Sequence, residues 1–377
     1  MQLRRIYIKT FSWEYWPMWL VYMPAGVYYL YLALKARSFY FFSASNPGIE
    51  NGGMFFESKW KIFELMPKEY FPNTILISEE DTIEIITRKM EDAQINFPII
   101  AKPDRGERGW CVKKINSLVE LENYKKKTTI SFLIQSYVNY PLELSVFYVR
   151  QPNQDKGKIT SVTLKKLLSV TGDGKSTIGQ LIVSNNRAFL QSNKLRQNEQ
   201  INFDHVLEKG KEHILVPYGN HVLGAMFLNY NHIIDKELTT TFDNISKQIN
   251  GFYFGRYDLR CSNIEDLKNG KNIAILELNG AGAEPAHIYD PNFSFIKAQI
   301  VLIHYFKNMF AIARQNNKRG TAYMTHQEYK KVKQLEKAYK NKQTHDEFNR
   351  YPNRILRIRF SRKHQLNGDR IISLKEI

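Results

Sequence analysis

Asp258, Glu277 and Asn279 stand on two short runs, Arg256-Tyr-Asp-Leu-Arg260 and Ile275-Leu-Glu-Leu-Asn279, that both read as strands. Alternate residues of a strand share a face, and Asn269-Gly270 supplies turn residues between the runs. The spacing therefore predicts a hairpin on which Asp258, Glu277 and Asn279 point the same way. Carboxylate and amide oxygens gathered like this are hard ligands. They suit Mg2+, which takes one or two carboxylates and leaves its other positions to water and phosphates. A solvated hairpin face would carry the same acids, and the discriminating residues stand elsewhere in the chain.

Ile75–Ser78 reads as a strand, and Ser78 with Asp81 opens a helix through Met90. Phe97–Pro103 is a second strand that ends in Lys102, followed by a glycine turn, Asp104–Trp110, and a third strand, Trp110–Lys113. A turn built on Gly106 and Gly109 lets backbone N–H groups approach phosphate oxygens, and Lys102 beside it supplies countercharge. A plain hairpin would use the same two glycines. Ser117 and Glu120 cap a helix to Lys127, and strands Phe132–Val138 and Leu142–Val149 are joined by a short hinge, Asn139-Tyr-Pro141. A purine slot needs apolar walls, backbone polar groups at one edge and a carboxylate for ribose hydroxyls. Gln135 to Val138, with Glu143, offer these. Lys158–Thr171 reads as one long strand that ends in Gly-Asp-Gly-Lys-Ser-Thr177 and turns into a helix.

Lysine, glycine loop, hinge, ribose carboxylate and Asp…Glu-x-Asn, in this order, resemble the ATP-grasp superfamily over about residues 71–315, in the branch of cyanophycin synthetase and D-alanine–D-alanine ligases. The motifs that carry most of the resemblance are Arg256-x-Asp258 with Glu277-x-Asn279, and Ala101-Lys102-Pro103. It implies an α+β fold of two subdomains with ATP between them. Lys102 would contact phosphates, the Gly106–Gly109 loop would close over them, and Glu143 would hold ribose. Asp258, Glu277 and Asn279 would hold Mg2+, and Arg256 would stabilise an acyl-phosphate. Lys165, Lys211 and His221 are candidates for the γ-phosphate or acceptor, His221 and Asn231-His232 lying where the family faces its substrate. Small residues in Asn279-Gly-Ala-Gly-Ala-Glu284 would leave room for a substrate, or serve a tight turn. The family's amino-terminal α/β domain has no counterpart in the first 70 residues, and the hinge carries Gln135-Ser136 where many members have glutamate.

Composition sets bounds. The chain has 377 residues, 43% of them hydrophobic, enough for more than one core. Two distant cysteines indicate neither a disulfide framework nor a zinc site. The net charge of +17 concentrates at the ends: residues 318–377 hold 16 Lys/Arg against 6 Asp/Glu, and residues 1–45 hold five against one. From Tyr15 to Leu34 no charged residue occurs, and tryptophans and tyrosines are dense. Such a run suits an interfacial helix pair, a buried core helix or a membrane span; its aromatics favour headgroup depth, with Arg4, Arg5, Lys35 and Arg37 meeting anionic phosphates. It is too aromatic for a secretory signal.

The expected division is an apolar segment with a Gly-rich loop (1–70), a small subdomain (71–140), a large subdomain with the metal site (141–317) and a basic tail (318–377). In the tail, a helix is expected from Lys318 to Lys342, then a basic stretch, Arg350–Arg362, that docks on the body or on anionic lipid. The leading expectation is an ATP- and Mg2+-dependent ligase of a carboxylate and an amine, cytoplasmic and peripheral at the inner membrane face, acting on an amphiphilic substrate. An ATP-grasp phosphotransferase is the alternative, and a membrane-associated nucleotide-binding protein without ligase activity the second. No recognisable nucleic-acid module occurs, so no such partner is expected.

Overall fold

The computed structural model describes residues 1–107, 109–198, 201–217 and 219–343. The expected basic stretch Arg350–Arg362 lies outside them. The fold is α+β, as expected, and the described residues form two larger antiparallel sheets and a two-stranded one in the unit Met1–His345.

The chain begins with helices α1 (Gln2–Phe11) and α2 (Met18–Ala36), then a loop, then α3 (Lys59–Leu65) capped by Ser58. The first sheet is built from β1 (Thr74–Ile77), β2 (Ile99–Pro103), β3 (Lys113–Ile115) and β4 (Phe132–Ser136), in the order β1-β4-β2-β3. Helices α4 (Ile83–Asp92) and α5 (Leu118–Lys127) connect its strands. Each helix buries apolar residues three or four apart, Ile86 with Met90 and Leu121 with Tyr124. Two boundaries differ from expectation. Helix α4 is capped by Thr82, while Asp81 instead accepts from the Ser78 N–H, and the third strand begins at Lys113.

The second half contains β5 (Leu142–Val149), β6 (Lys158–Lys166), β7 (Leu168–Thr171), α6 (Ile178–Ser184), α7 (Asn186–Leu195), β8 (Glu212–Val216), β9 (Met226–Asn229) and α8 (Lys236–Gln248). It continues with β10 (Phe254–Cys261), α9 (Ile264–Lys268), β11 (Ile273–Asn279), α10 (Phe295–Lys318) and α11 (His326–Lys342). Its main sheet runs β11-β10-β5-β6-β9, and β7 pairs with β8 as a separate ribbon. The single strand expected over Lys158–Thr171 is thus broken at Leu167, so that its two parts join different sheets. The expected tight hairpin between β10 and β11 contains the short helix α9. The tail helix starts at His326, behind a Thr325–Glu328 capping box, because α10 ends at Lys318.

One face of the main sheet packs Val146, Tyr148, Tyr257 and Leu259 on Leu238, Phe242 and Ile245 of α8. On the opposite face, Phe147, Val149 and Phe254 seat α2 and α10. Pro24 does not end α2. The carboxamide of Gln299 on α10 bonds both the Val21 carbonyl (3.0 Å) and the Ala25 N–H (3.2 Å), fastening the helix beside its proline. Arg4 and Arg5, expected to meet lipid phosphates, donate instead to the Val183 (2.7 Å) and Leu190 (2.9 Å) carbonyls, tying α1 to α6 and α7.

The small residues after β11 serve close backbone approach. A Cβ on Gly53 would lie 2.6 Å from the Gly280 Cα, and the Gly282 N–H reaches the Gly53 carbonyl at 2.7 Å. Fully buried Asn46 fixes the same loop: its amide group donates to the carbonyls of Gly52 (3.0 Å) and Phe254 (2.8 Å), and its oxygen accepts from the N–H groups of Tyr253 and Phe254 (2.9 Å each). Replacing it removes hydrogen bonds from four backbone groups, of which the Gly52 carbonyl keeps the Ala281 N–H (3.0 Å) as a second partner. Asn46→Ala is expected to lower stability by about 3 kcal/mol, read as a shifted denaturant midpoint at constant slope. An unchanged midpoint would show that the loop is held by other means.

Candidate active site

The antiparallel register aligns charged residues across four strands. Arg256 pairs with Asn279, and Asp258 with Glu277, between β10 and β11; Asp258 faces Ser145, and Arg260 faces Glu143, between β10 and β5. Lys165 joins from β6, its ammonium 3.0 Å from Asp258 and 3.6 Å from Glu143. Alternation along β5 and β10 puts these side chains on the face that also carries Phe147, Val149 and Phe254, while Leu144, Val146, Tyr148, Tyr257 and Leu259 point to the core on the other face.

Asp258 is the most constrained of them. Its carboxylate accepts from Ser145 Oγ (2.5 Å), Arg256 Nε (3.2 Å) and Nη2 (3.1 Å), and Asn279 Nδ2 (3.0 Å), in addition to its Lys165 contact. Burial alone would raise its pKa, but the Arg256 and Lys165 charges and these hydrogen bonds hold it well below the usual carboxylate range. Glu143 is paired with Arg260, whose Nη2 and Nε lie 3.1 and 3.3 Å from the same oxygen, while Arg260 Nη1 reaches the Val138 carbonyl at 3.1 Å.

Lys102 arrives from the other sheet. A β-bulge falls between Asp258 and Leu259, leaving Leu276 as the extra residue of β11, and the Leu276 carbonyl accepts from Lys102 Nζ at 2.8 Å. The second acceptor of Lys102 is Gln135 Oε1, at 3.0 Å. Both are neutral. Burial pushes the Lys102 ammonium down to about 8, against the opposing pull of the Glu277 charge.

Between the sheets lies a cavity of about 230 Å3. Lys102, Gly106, Gly109, Gln135, Val138, Glu143, Lys165, Asp258 and Glu277 line it. Arg256 and Asn279 are not on its wall and grip Asp258 from the side. His221 lies elsewhere. Its Nε2 is 3.1 Å from Glu14, which also holds Arg187 at 2.5 Å, so this histidine fastens the N-terminal segment to the large half. Lys211 and the Asp173 turn are also absent from the wall. Arg260 and Lys59 line the cavity as well. Lys59 Nζ donates to the Gly106 carbonyl (2.5 Å) and stands 3.4 Å from Glu277, latching the glycine turn to the carboxylate strand.

Among the described residues no three His, Cys, Asp or Glu side chains form a metal cluster. The expected ligands are two carboxylates and an amide, and as hard oxygens they fit Mg2+ with phosphates completing its shell. Glu277, about 35% exposed at its side chain, has the accessible carboxylate. Asn279 spends its N–H on Asp258, leaving its amide oxygen as the ligand atom. A cation could reach Asp258 only as Lys165, the donor on the cavity wall, gives way.

No family model matches the sequence, and no curated protein matches it. Solved structures are similar at low identity. They include a bifunctional glutathione synthetase from Pasteurella multocida, at 15% identity over 66% of this chain and 36% of that one with a TM-score of 0.38. D-alanine–D-alanine ligase from Bacillus anthracis gives 12% identity, 70% and 69% coverage and a TM-score of 0.40. VanG D-Ala:D-Ser ligase from Enterococcus faecalis gives 14%, 68%, 62% and 0.38. The chain spans less than two thirds of the synthetase and of the VanG ligase. These likenesses are weak, and the functional conclusion rests on the geometry of the site.

An ammonium held only by neutral acceptors should titrate visibly. Triphosphate binding is expected to weaken about tenfold or more as pH rises through about 8, where Lys102 loses its proton, and Lys102→Met should flatten this profile. Unfolding cannot mimic the effect. Between the folded value of about 8 and the unfolded value of 10.5 the unfolded state binds more protons, so the lysine's contribution to stability rises with pH there. Calorimetric titration of both proteins across this range checks it; a profile shared by the variant would remove Lys102 from the phosphate site.

Proposed function

We propose that this protein is an ATP- and Mg2+-dependent ligase that joins a carboxylate to an amine through an acyl-phosphate, as a peripheral protein at the inner face of a membrane. One observation supports the chemistry above others: Lys59, Lys102 and Lys165 line a single cavity with the carboxylates Asp258 and Glu277. Ammonium groups and carboxylates gathered in one cleft match a polyphosphate carrying a divalent cation.

A carboxylate is a poor electrophile. Transfer of the γ-phosphoryl group to one of its oxygens breaks the bond to ADP and creates a leaving group. An amine then attacks the carbonyl carbon, phosphate departs and the nitrogen loses a proton. Bound at Glu277, Asn279 and Asp258, Mg2+ would neutralise charge on the phosphoryl oxygens. The chain's own residues position the reactants. Ile100, Val112, Tyr137 and Val138 provide the apolar slot for a base, and Glu143, oriented by Arg260, faces the ribose hydroxyls. Lys102 from the first sheet and Lys59 from α3 meet phosphate oxygens, and Lys165, released from Asp258, can follow the transferring group. Arg256 keeps Asp258 ionised and fixed in place.

Glu277→Gln is expected to cut ADP release about a hundredfold or more with an unchanged thermal midpoint, and chelation of Mg2+ should abolish turnover of the wild type. Wild-type-like turnover by the variant would contradict the metal assignment. ADP release that requires both an acid and an amine identifies a ligase, whereas release with one acceptor alone identifies a phosphotransferase.

A further inference from the structure

Helix α2 has two apolar faces. The inner one, with Val21, Ala25, Leu32 and Ala33, is buried with residues of α10. The outer one carries Trp19, Met23, Val27, Leu30, Tyr31 and Leu34, spaced three and four apart, with Trp19, Val27 and Leu34 exposed by 70, 67 and 74%. That spacing makes one stripe over four turns, ~22 Å long. Soluble surfaces rarely present so continuous an apolar strip to water.

What covers the stripe is indicated by charge and by side-chain type. The net charge of +17 makes a second copy of this chain a repulsive partner and an anionic surface an attractive one. Exposed Lys35 and Arg37 follow the stripe immediately, and α1 exposes Leu3, Ile6, Tyr7 and Phe11 together with Lys9. Trp19 and Tyr31 have the amphipathic rings that favour headgroup depth. Among the described residues no helix is long and apolar enough to cross a membrane, and α2 is committed to α10 along its inner face. The fit is a helix lying in the plane of the interface.

We propose that the outer face of α2, from Trp19 to Leu34, docks this protein on anionic bilayers. The assignment rests on the peripheral-membrane part of the proposed function and is independent of the reaction. Docking places the chemistry near the lipid: Tyr22 of α2 donates to Glu284 Oε2 at 3.1 Å, and Arg256 Nη1 donates to the Glu284 carbonyl at 3.1 Å. The helix that meets lipid therefore also touches the residues around Asp258.

The test is flotation of the full chain with phosphatidylcholine–phosphatidylglycerol vesicles at low salt and at high salt. Wild type should float in both, since apolar insertion survives screening. Val27→Lys combined with Leu34→Lys should lower the floated fraction at high salt about tenfold or more, while thermal midpoint and binding of an ATP analogue stay unchanged. Lys35→Gln with Arg37→Gln should lose only the salt-sensitive part. If wild type does not float, the membrane part of the proposed function fails and the docking face with it. If wild type floats and the double-lysine variant floats equally, the membrane part stands and the α2 assignment is wrong. A wild type that self-associates without vesicles and does not float, beside a monomeric variant, would make the stripe a protein interface and overturn the proposal.

Discussion

A carboxylate buried in the middle of a sheet dictates much of what surrounds it. Asp258 stays ionised only because Lys165, Arg256, Ser145 and Asn279, from four strands, direct hydrogen-bond donors or charge at it. Removing one partner of a buried pair commonly costs about 3–5 kcal/mol, since the survivor is left uncompensated. The dependence is mutual: burial would lower the Arg256 pKa, yet the charges of Asp258 and Glu284 raise it. Register across β6, β5, β10 and β11 is thereby fixed by charge around Asp258 and by core packing on both faces of the sheet.

The two sheets are joined around the cavity by a few specific contacts. Lys102 crosses to the bulge carbonyl of Leu276, and Lys59 spans from Gly106 to Glu277. Helix α11 forms a strap on the outside. Near its start His326 Nδ1 meets the Tyr40 hydroxyl at 2.7 Å and Tyr329 stacks on the Tyr40 ring at 4.9 Å. Near its end the Tyr339 hydroxyl reaches the Ser131 carbonyl at 3.2 Å, and Gln343 Oε1 accepts from the Thr129 N–H at 2.8 Å. An anion entering the cleft would meet Lys102 and Lys59 at the contacts that link the two halves.

Local rules made part of this legible in the sequence. Strand alternation placed Asp258 with Glu277 and Asn279, and a lysine at a strand end beside two glycines pointed to residues that line the cavity. Long-range packing hid the rest. Lys59 sits after a Gly/Asn-rich loop, and only the docking of that loop on Gly280 carries it to Glu277. His221 resembled a reactive loop histidine because its partner, Glu14, lies 207 positions away. The break at Leu167 accompanies a change of partner, β6 pairing with β5 and β9 and β7 with β8, which local sequence does not reveal. In α2 both faces are apolar, so periodicity could not tell which is buried; the aromatic seat on α10 decides it.

Binding of a triphosphate with its cation between the two sheets is tested most directly by a crystal structure grown with Mg2+ and a non-hydrolysable ATP analogue. Density is expected with the base against Tyr137 and Val138, the phosphates at Lys102 and Lys59, the cation on Glu277, Asn279 and Asp258, and Lys165 displaced from Asp258. An analogue bound elsewhere, or an undisturbed Lys165–Asp258 contact with no density in the cleft, would contradict the assignment.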